Sequence, residues 1–324
     1  MNQQKIAVLG TGGTLAGTAA DPRDNLGYRA GELPIAAVLA SIAALRDLPL
    51  ASEDVAQIDS KDMSLEVWRR LAQRCAHWLA QDDIAGLVIG HGTDTLEETA
   101  FFLQTVLAPV KPVVLACAMR PATALVPDGP QNLVDAVAVA TAPGARGVVA
   151  VCAGTIHGAH DVAKQHTWRL DAFTSGDAGP LGYVEERSVR LVRGWPDTPA
   201  MPGAFERVVA ATRWPRVEIV VSHAGAGGAL VEALVAQGVD GLVVAATGNG
   251  TVHADLEAAL VAARTRGVKV VRASRCAQGR VQATAQDRLP HAGALSPVKA
   301  RIGLLLELLA AGPLRTPAPA ARGR

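Results

Sequence analysis

Hydrophobic positions along this chain follow two alternating rhythms. Short, nearly continuous apolar runs, KIAVLG (5–10), DVAQID (54–59), GLVIG (86–90), PVVLAC (112–117) and GVVAVCA (147–153), predict buried strands. Between them, apolar residues recur at helical spacing over 34–46, 64–80, 95–107 and 130–141. Ser64 and either Asp94 or Thr95 offer helix caps, and Gly86 and Gly144 offer stops. Such alternation predicts an α/β fold, mostly parallel sheet covered by helices on both faces. The pattern weakens after about residue 155, and 191–215 carries Trp195-Pro196, Thr198-Pro199, Met201-Pro202-Gly203 and Trp214-Pro215. Proline at that density reads as a connection. A second series follows: strand VEIVVSHA (217–224), a helix near 227–237, strand GLVVAATG (241–248), a helix near 254–265, strand VKVVRAS (268–274) and a last helix from Ser296-Pro297. The expected organisation is two-domain: an N-terminal α/β catalytic domain at 1–190, a linker at 191–215, a C-terminal α/β domain at 216–311 and a disordered Pro/Ala/Arg-rich tail at 312–324.

Charge narrows the choice of partner. The 31 Lys and Arg nearly cancel the 30 Asp and Glu, leaving a net charge of +1. That balance gives no electrostatic case for nucleic acid or an anionic membrane. Aromatics at 3% disfavour a base-stacking platform. No segment approaches the ~18 uninterrupted apolar residues of a membrane span, and no secretory h-region with a cleavage site is apparent at the start, so a cytoplasmic protein is expected. Cys75, Cys117, Cys152 and Cys276 form no CxxC pair, and His157, His160 and His166 lack a matching ligand pattern. No metal and no cofactor are expected. Cys117 and Cys152, inside apolar runs, read as small core residues.

Two loops carry the candidate chemistry. The run GLVIG ends at His91-Gly92-Thr93-Asp94-Thr95, and a helical pattern begins with Glu97 and Glu98. Thr and Asp are ordinary helix caps. A cap needs one such residue, whereas three stand here in a row, at the carboxyl end of a parallel strand where open α/β sheets hold ligands. His91 itself reads as structural. The first strand ends in Leu9-Gly10-Thr11-Gly12-Gly13-Thr14-Leu15-Ala16-Gly17. Taken alone this resembles a nucleotide loop, but it lacks the G-x-G-x-x-G spacing and a clear following helix. A hydroxyl-bearing active-site loop fits better, and Tyr28, one of only two tyrosines, lies in the Gly/Asp/Asn/Pro-rich stretch after it.

With TGGTLAG (11–17) and HGTDTLEETAFFL (91–103) in register, the chain resembles the bacterial-type L-asparaginases and glutaminase-asparaginases. DSKDM (59–63), KPVVLACAMRP (111–121), DGPQNL (128–133), GPLGYV (179–184) and GNGT (248–251) extend the likeness in order. The resemblance implies an asparaginase-like two-domain fold and a cofactor-free amidohydrolase working through a threonine acyl-enzyme. Thr14 matches the family's first-loop nucleophile, and Tyr28 the mobile-loop tyrosine that contacts it. Thr93, Asp94 and Lys164 match a Thr–Asp–Lys relay, in which a buried lysine with a lowered pKa can act as base; the resemblance leaves open which threonine attacks first. Ser60 matches the binder of the substrate α-carboxylate, Asp94 that of its α-ammonium, and Ala118 the position whose carbonyl receives the side-chain amide. Backbone N–H groups near Gly13 and Thr93 are the implied oxyanion donors. Asn249 matches a residue lent by a neighbouring subunit, implying a dimer of dimers.

There are departures too. Lys61 replaces the family's usual glutamine beside Ser60, keeping the ability to meet a carboxylate, and Gln286-Asp287 stands where a glutamate is common. The substrate implied is L-asparagine, with L-glutamine as the broader alternative, since one methylene is worth only ~1–3 kcal/mol of discrimination. A tRNA-dependent amidotransferase subunit, a non-catalytic amino-acid-binding protein on the same scaffold and a nucleotide-binding module are the rival readings.

Overall fold

The computed structural model describes residues 4–312, and the chain divides into two compact units, 1–205 and 206–324. The expected tail, apart from its first residue, lies outside the described residues.

The first unit is built on one sheet. Strands β1 (Lys5–Gly12), β2 (Leu50–Ile58), β3 (Ile84–Gly90), β4 (Val113–Ala116) and β5 (Val148–Cys152) run parallel, in the order β2-β1-β3-β4-β5. Helices α1 (Ile35–Ser41), α2 (Leu65–Leu79), α3 (Leu96–Leu107) and α4 (Gly129–Ala140) connect them. Their pattern explains their burial. On α2, Trp68, Leu71, Ala72 and Cys75 are buried at i, i+3, i+4 and i+7, behind the Ser64 cap, whose hydroxyl accepts from Val67 N at 3.3 Å. β3, β4 and β5 are buried on both faces, as their unbroken apolar runs require.

Beyond β5 the sheet changes direction. β6 (Thr155–Gly158), β9 (Gly182–Glu185) and β10 (Ser188–Leu191) extend it antiparallel, and two-residue strands β7 (Ala163–Lys164) and β8 (Phe173–Thr174) pair with each other outside it. This extension differs from the fading pattern read from sequence. The β9–β10 hairpin is half-exposed and turns through Glu186 and Arg187 at φ 47° and 63°. Non-glycine residues there leave none of the usual Asn-Gly turn signal. Helix α5 (Ala204–Ala210) forms inside the segment read as a linker.

The second unit is a three-stranded parallel sheet, β11 (Val217–Val221), β12 (Gly241–Ala246) and β13 (Lys269–Ser274), with helices α6 (Ala229–Ala236), α7 (Ala254–Thr265) and α8 (Pro297–Ala310). Ser296 caps α8 ahead of Pro297 at its first position.

Candidate active site

Three chain segments meet at the carboxyl edge of the first sheet, each leaving a neighbouring strand: the loop after β1, the turn after β2 and the loop after β3. Their approach is limited by backbone. A side chain on Gly13 (φ 76°) would place its first carbon 2.3 Å from Gly92 Cα, and one on Gly92 would fall 2.4 Å from Ser60 Oγ. Glycine is required at both contacts. The turn after β2 is a single 3₁₀ turn, Ser60–Asp62, whose buried Ser60 faces the loop after β3. Ser60 Oγ accepts from Asp94 N at 3.2 Å, and Thr95 Oγ1 donates to Ser60 O at 2.8 Å. Thr95 is thus spent on a tertiary contact rather than on capping α3.

Two hydroxyl clusters result. Thr14 Oγ1 lies 2.6 Å from Tyr28 OH. Tyr28 is carried by the loop 18–31, closed on itself where Thr18 N and Arg29 N donate to each other's carbonyls. The loop is anchored to 121–125, with Ala19 N donating to Thr123 Oγ1 at 2.8 Å and Leu125 N to Pro22 O at 3.0 Å. In the other cluster, Lys164 Nζ donates to Thr93 Oγ1 at 2.8 Å and to Asp94 Oδ1 at 2.6 Å. The short β7 delivers this lysine, its backbone N donating to Glu97 Oε1 on α3 at 3.4 Å. Both clusters line one cavity of about 210 Å³, together with Asn25, Leu26, Asp59, Ser60, Met119, Thr167 and Trp168.

His91 supports the second cluster from behind. Trp68 Nε1 donates to Thr99 Oγ1 (2.9 Å), which leaves the Thr99 hydroxyl free to donate to His91 Nε2 (2.9 Å). The remaining proton sits on Nδ1 and is given to Gly92 O at 2.7 Å. Complete burial pushes the His91 pKa down to about 4, and the neutral ring is the form that this chain of bonds requires. The strand β4 exit is fixed in a similar way. Asp128 accepts from Met119 N and Arg120 N, both at 2.9 Å, and Asn132 Nδ2 donates to Cys117 O at 2.8 Å. This accounts for the DGPQNL motif. It sets Ala118, fully buried and adjacent to the lining residue Met119.

Other residues read from sequence stand differently. Gly13 N donates to Ile58 O at 2.8 Å, which removes that N–H as an oxyanion donor. The N–H groups of Thr14 and Thr93 have no acceptor among the described residues and are the open donors there. Lys61 is not in the cavity wall: its ammonium pairs with Asp62 and lies 3.7 Å from Asp59. Asn249 belongs to the second unit, where its side chain exchanges hydrogen bonds with the backbone of Gln282 at 3.1 and 2.7 Å. Asp287 is likewise engaged in its own unit, by Arg272 and Thr284. The three histidines near Lys164 are employed elsewhere. His157 bonds Ser175 Oγ at 2.9 Å, His160 packs edge-on against Phe101, and His166 accepts backbone N–H groups. Among the described residues no group of three His, Cys, Asp or Glu side chains could hold a metal ion. The hydrogen-bonded neighbour Cys152, together with burial, pushes the Cys117 thiol well up, which makes it a core residue rather than a nucleophile. Sequence reasoning did not find Asn25, Leu26, Met119, Thr167 or Trp168, although each stands within four residues of a site residue that it did name.

A polar cavity at the carboxyl edge of a parallel sheet, holding two threonine hydroxyls, one beside a tyrosine phenol and one beside a lysine ammonium, has the make-up of an enzyme site for a small polar substrate. Comparison with known proteins narrows this class. The chain belongs to the asparaginase family: the family "Asparaginase, N-terminal" matches residues 5–196, and the "Glutaminase/Asparaginase C-terminal domain" matches residues 216–313. It is 37% identical over 317 residues to L-asparaginase 2 of Escherichia coli (strain K12), covering 94% of this chain and 88% of that one. It is 32% identical over 316 residues to the glutaminase-asparaginase of Acinetobacter glutaminasificans, covering 94% and 95%. Among solved structures, the probable cytoplasmic L-asparaginase from Campylobacter jejuni superposes with a TM-score of 0.88 at 39% identity, covering 94% of this chain and 95% of that one. The fold is therefore the two-domain α/β fold of this family.

Proposed function

We propose that this protein is an L-asparaginase, hydrolysing L-asparagine to L-aspartate and ammonia through an acyl-threonine. One observation carries the reading: Thr14, paired with Tyr28, and Thr93, paired with Lys164, open into the same small cavity. Thr14 Oγ1 attacks the carboxamide carbon, and the Thr14 and Thr93 N–H groups stabilise the oxyanion; one such donor is worth ~3 kcal/mol. The C–N bond breaks, the amide nitrogen leaves as ammonia with the proton from the threonine, and water then cleaves the ester. Tyr28 orients the attacking hydroxyl. Thr93, Lys164 and Asp94 relay protons to the leaving nitrogen and from the water. Ser60 takes the α-carboxylate and Asp94 the α-ammonium. Ala118 takes the amide through its carbonyl, and Lys61 acts through Asp59 rather than on the substrate.

The family likeness supports two further parts of the proposal. The active form is a dimer of dimers in which Asn249 serves a neighbouring subunit's cavity, and the protein works in the cytoplasm.

The test is ammonia release from L-asparagine and L-glutamine by the wild type and Thr14→Ala. Turnover of asparagine that vanishes in the variant is the expected result, and the ratio of the two kcat/KM values ranks the substrates. A folded oligomer that releases ammonia from neither amide would overturn the proposal in favour of a binding protein on this scaffold.

A further inference from the structure

Two acidic side chains are buried among the described residues, Asp135 at 4% exposed and Asp240 at 2%. A carboxylate taken out of water calls for a cation beside it. Asp240, in the second unit, has one. Its Oδ2 lies 3.5 Å from Arg213 Nη2 and also accepts from Arg216 N at 2.8 Å. Asp135, on α4, has none. Its one partner is the neutral amide of Gln131, a turn earlier on the helix, which donates to Oδ1 at 2.8 Å. Among the described residues Oδ2 has no partner, and no lysine, arginine or histidine pairs with this carboxylate. Burial accordingly holds the Asp135 carboxyl above its ordinary pKa, against the smaller pull of the Gln131 bond.

Asp135 is not sealed inside protein. It lines a cavity of about 590 Å³ in the first unit. Part of the wall is apolar, formed by Val134, Leu170 and Val184. In the polar part Asp128, Asp135 and Glu186 outnumber Arg187. Asp128 is already spent on Met119 N and Arg120 N, both at 2.9 Å, and Glu186 is exposed. Asp135 is therefore the carboxylate of this wall that is both buried and without a charged or backbone partner. Asp128 joins the cavity to that of the two threonines, whose wall includes Met119.

We infer that this cavity binds an aliphatic ammonium ion, with its charged head on Asp135 Oδ2 and its hydrocarbon chain against Val134, Leu170 and Val184. The head supplies the charge and the N–H donors that the carboxylate lacks. The chain removes the apolar wall from water. A bare inorganic cation would meet the carboxylate and leave that wall uncovered. The site requires no chemistry at the threonines, so it stands or falls separately from the asparaginase reading.

The experiment is isothermal titration calorimetry of the full-length protein with n-butylammonium chloride, n-butanol and ammonium chloride at constant ionic strength. It uses the wild type, Asp135→Asn and Leu170→Ala. n-Butylammonium is expected to bind the wild type at least about tenfold more tightly than either n-butanol or the ammonium ion, since each of these lacks one half of the contact. Asp135→Asn keeps the shape and removes the charge. It should bind n-butylammonium about tenfold more weakly or worse, with a urea midpoint no lower than that of the wild type, because a buried unpaired charge has gone. Leu170→Ala should weaken n-butylammonium about threefold and leave the ammonium ion unaffected. No binding of n-butylammonium to the wild type, n-butanol binding as tightly as n-butylammonium, or equal binding by Asp135→Asn would each overturn the site. Should Asp135→Asn not fold, the comparison of n-butylammonium with n-butanol on the wild type decides alone.

Discussion

The two threonines of the cavity are held in contrasting ways. Thr14 is paired with a phenol from a loop only 14 residues away in sequence. Thr93 is paired with an ammonium brought from 71 residues away, itself tied to Asp94 and, through its backbone, to α3. Behind Thr93 stands a closed chain of buried hydrogen bonds, His91–Thr99–Trp68. Behind Tyr28 there is only a loop, closed on itself and anchored at its edge. A hydroxyl served by a loop can change its partner when substrate arrives, whereas one backed by a buried hydrogen-bond chain anchored on two helices is fixed in advance. In the proposed mechanism attack therefore falls to Thr14 and proton traffic to the Thr93 side.

Several experiments can break this division of labour. Thr14→Ala should lower kcat for L-asparagine by about 10⁴-fold with an unchanged circular dichroism spectrum, because no other group replaces an acyl-forming hydroxyl. Lys164→Met should cost about 10³-fold, the size of a lost general acid–base; a milder loss than in a Tyr28 variant would reverse the assignment. The third test is acid. His91 and His157, both pushed down to about 4 by burial, are neutral in the folded state, whereas the unfolded chain protonates them near 6.5. The unfolded state then binds more protons below 6.5, so stability present above that pH is lost progressively as pH falls toward 4, by about 3 kcal/mol for each histidine. Urea midpoints from pH 7 to pH 4.5 measure the slope, which His91→Asn should make shallower. Tyr28→Phe should reduce kcat about tenfold, the value of one orienting hydrogen bond. Lys61→Gln should change kcat/KM by no more than about threefold, because Lys61 is 60% exposed, pairs with Asp62 and Asp59, and does not itself line the cavity.

The same contrast explains what was legible in the sequence. The parallel strands showed plainly because burial on both faces demands unbroken apolar runs. The predicted helix at 34–46 forms only over Ile35–Ser41, since Ile42 turns extended and a 3₁₀ turn follows. The antiparallel extension was silent because its hairpin is half-exposed, rich in charge and turned without glycine. In the site, the glycine-and-hydroxyl loops after β1 and β3 announced themselves by composition. Lys164 did not: a two-residue strand has no periodicity, and a contact across 70 residues leaves no local trace. Only the family resemblance singled it out. Leu26 and Trp168 were equally hidden, because an exposed apolar residue in a loop means little until the loop is seen to face a cavity.

The most direct test of the central claim is to find the acyl group. Wild-type protein mixed with L-asparagine, quenched in acid within milliseconds and digested, can be searched by mass spectrometry for an aspartyl ester. The account predicts the adduct on the peptide containing Thr14, and none in Thr14→Ala. An adduct on the peptide containing Thr93, or unimpaired turnover by Thr14→Ala, would contradict it.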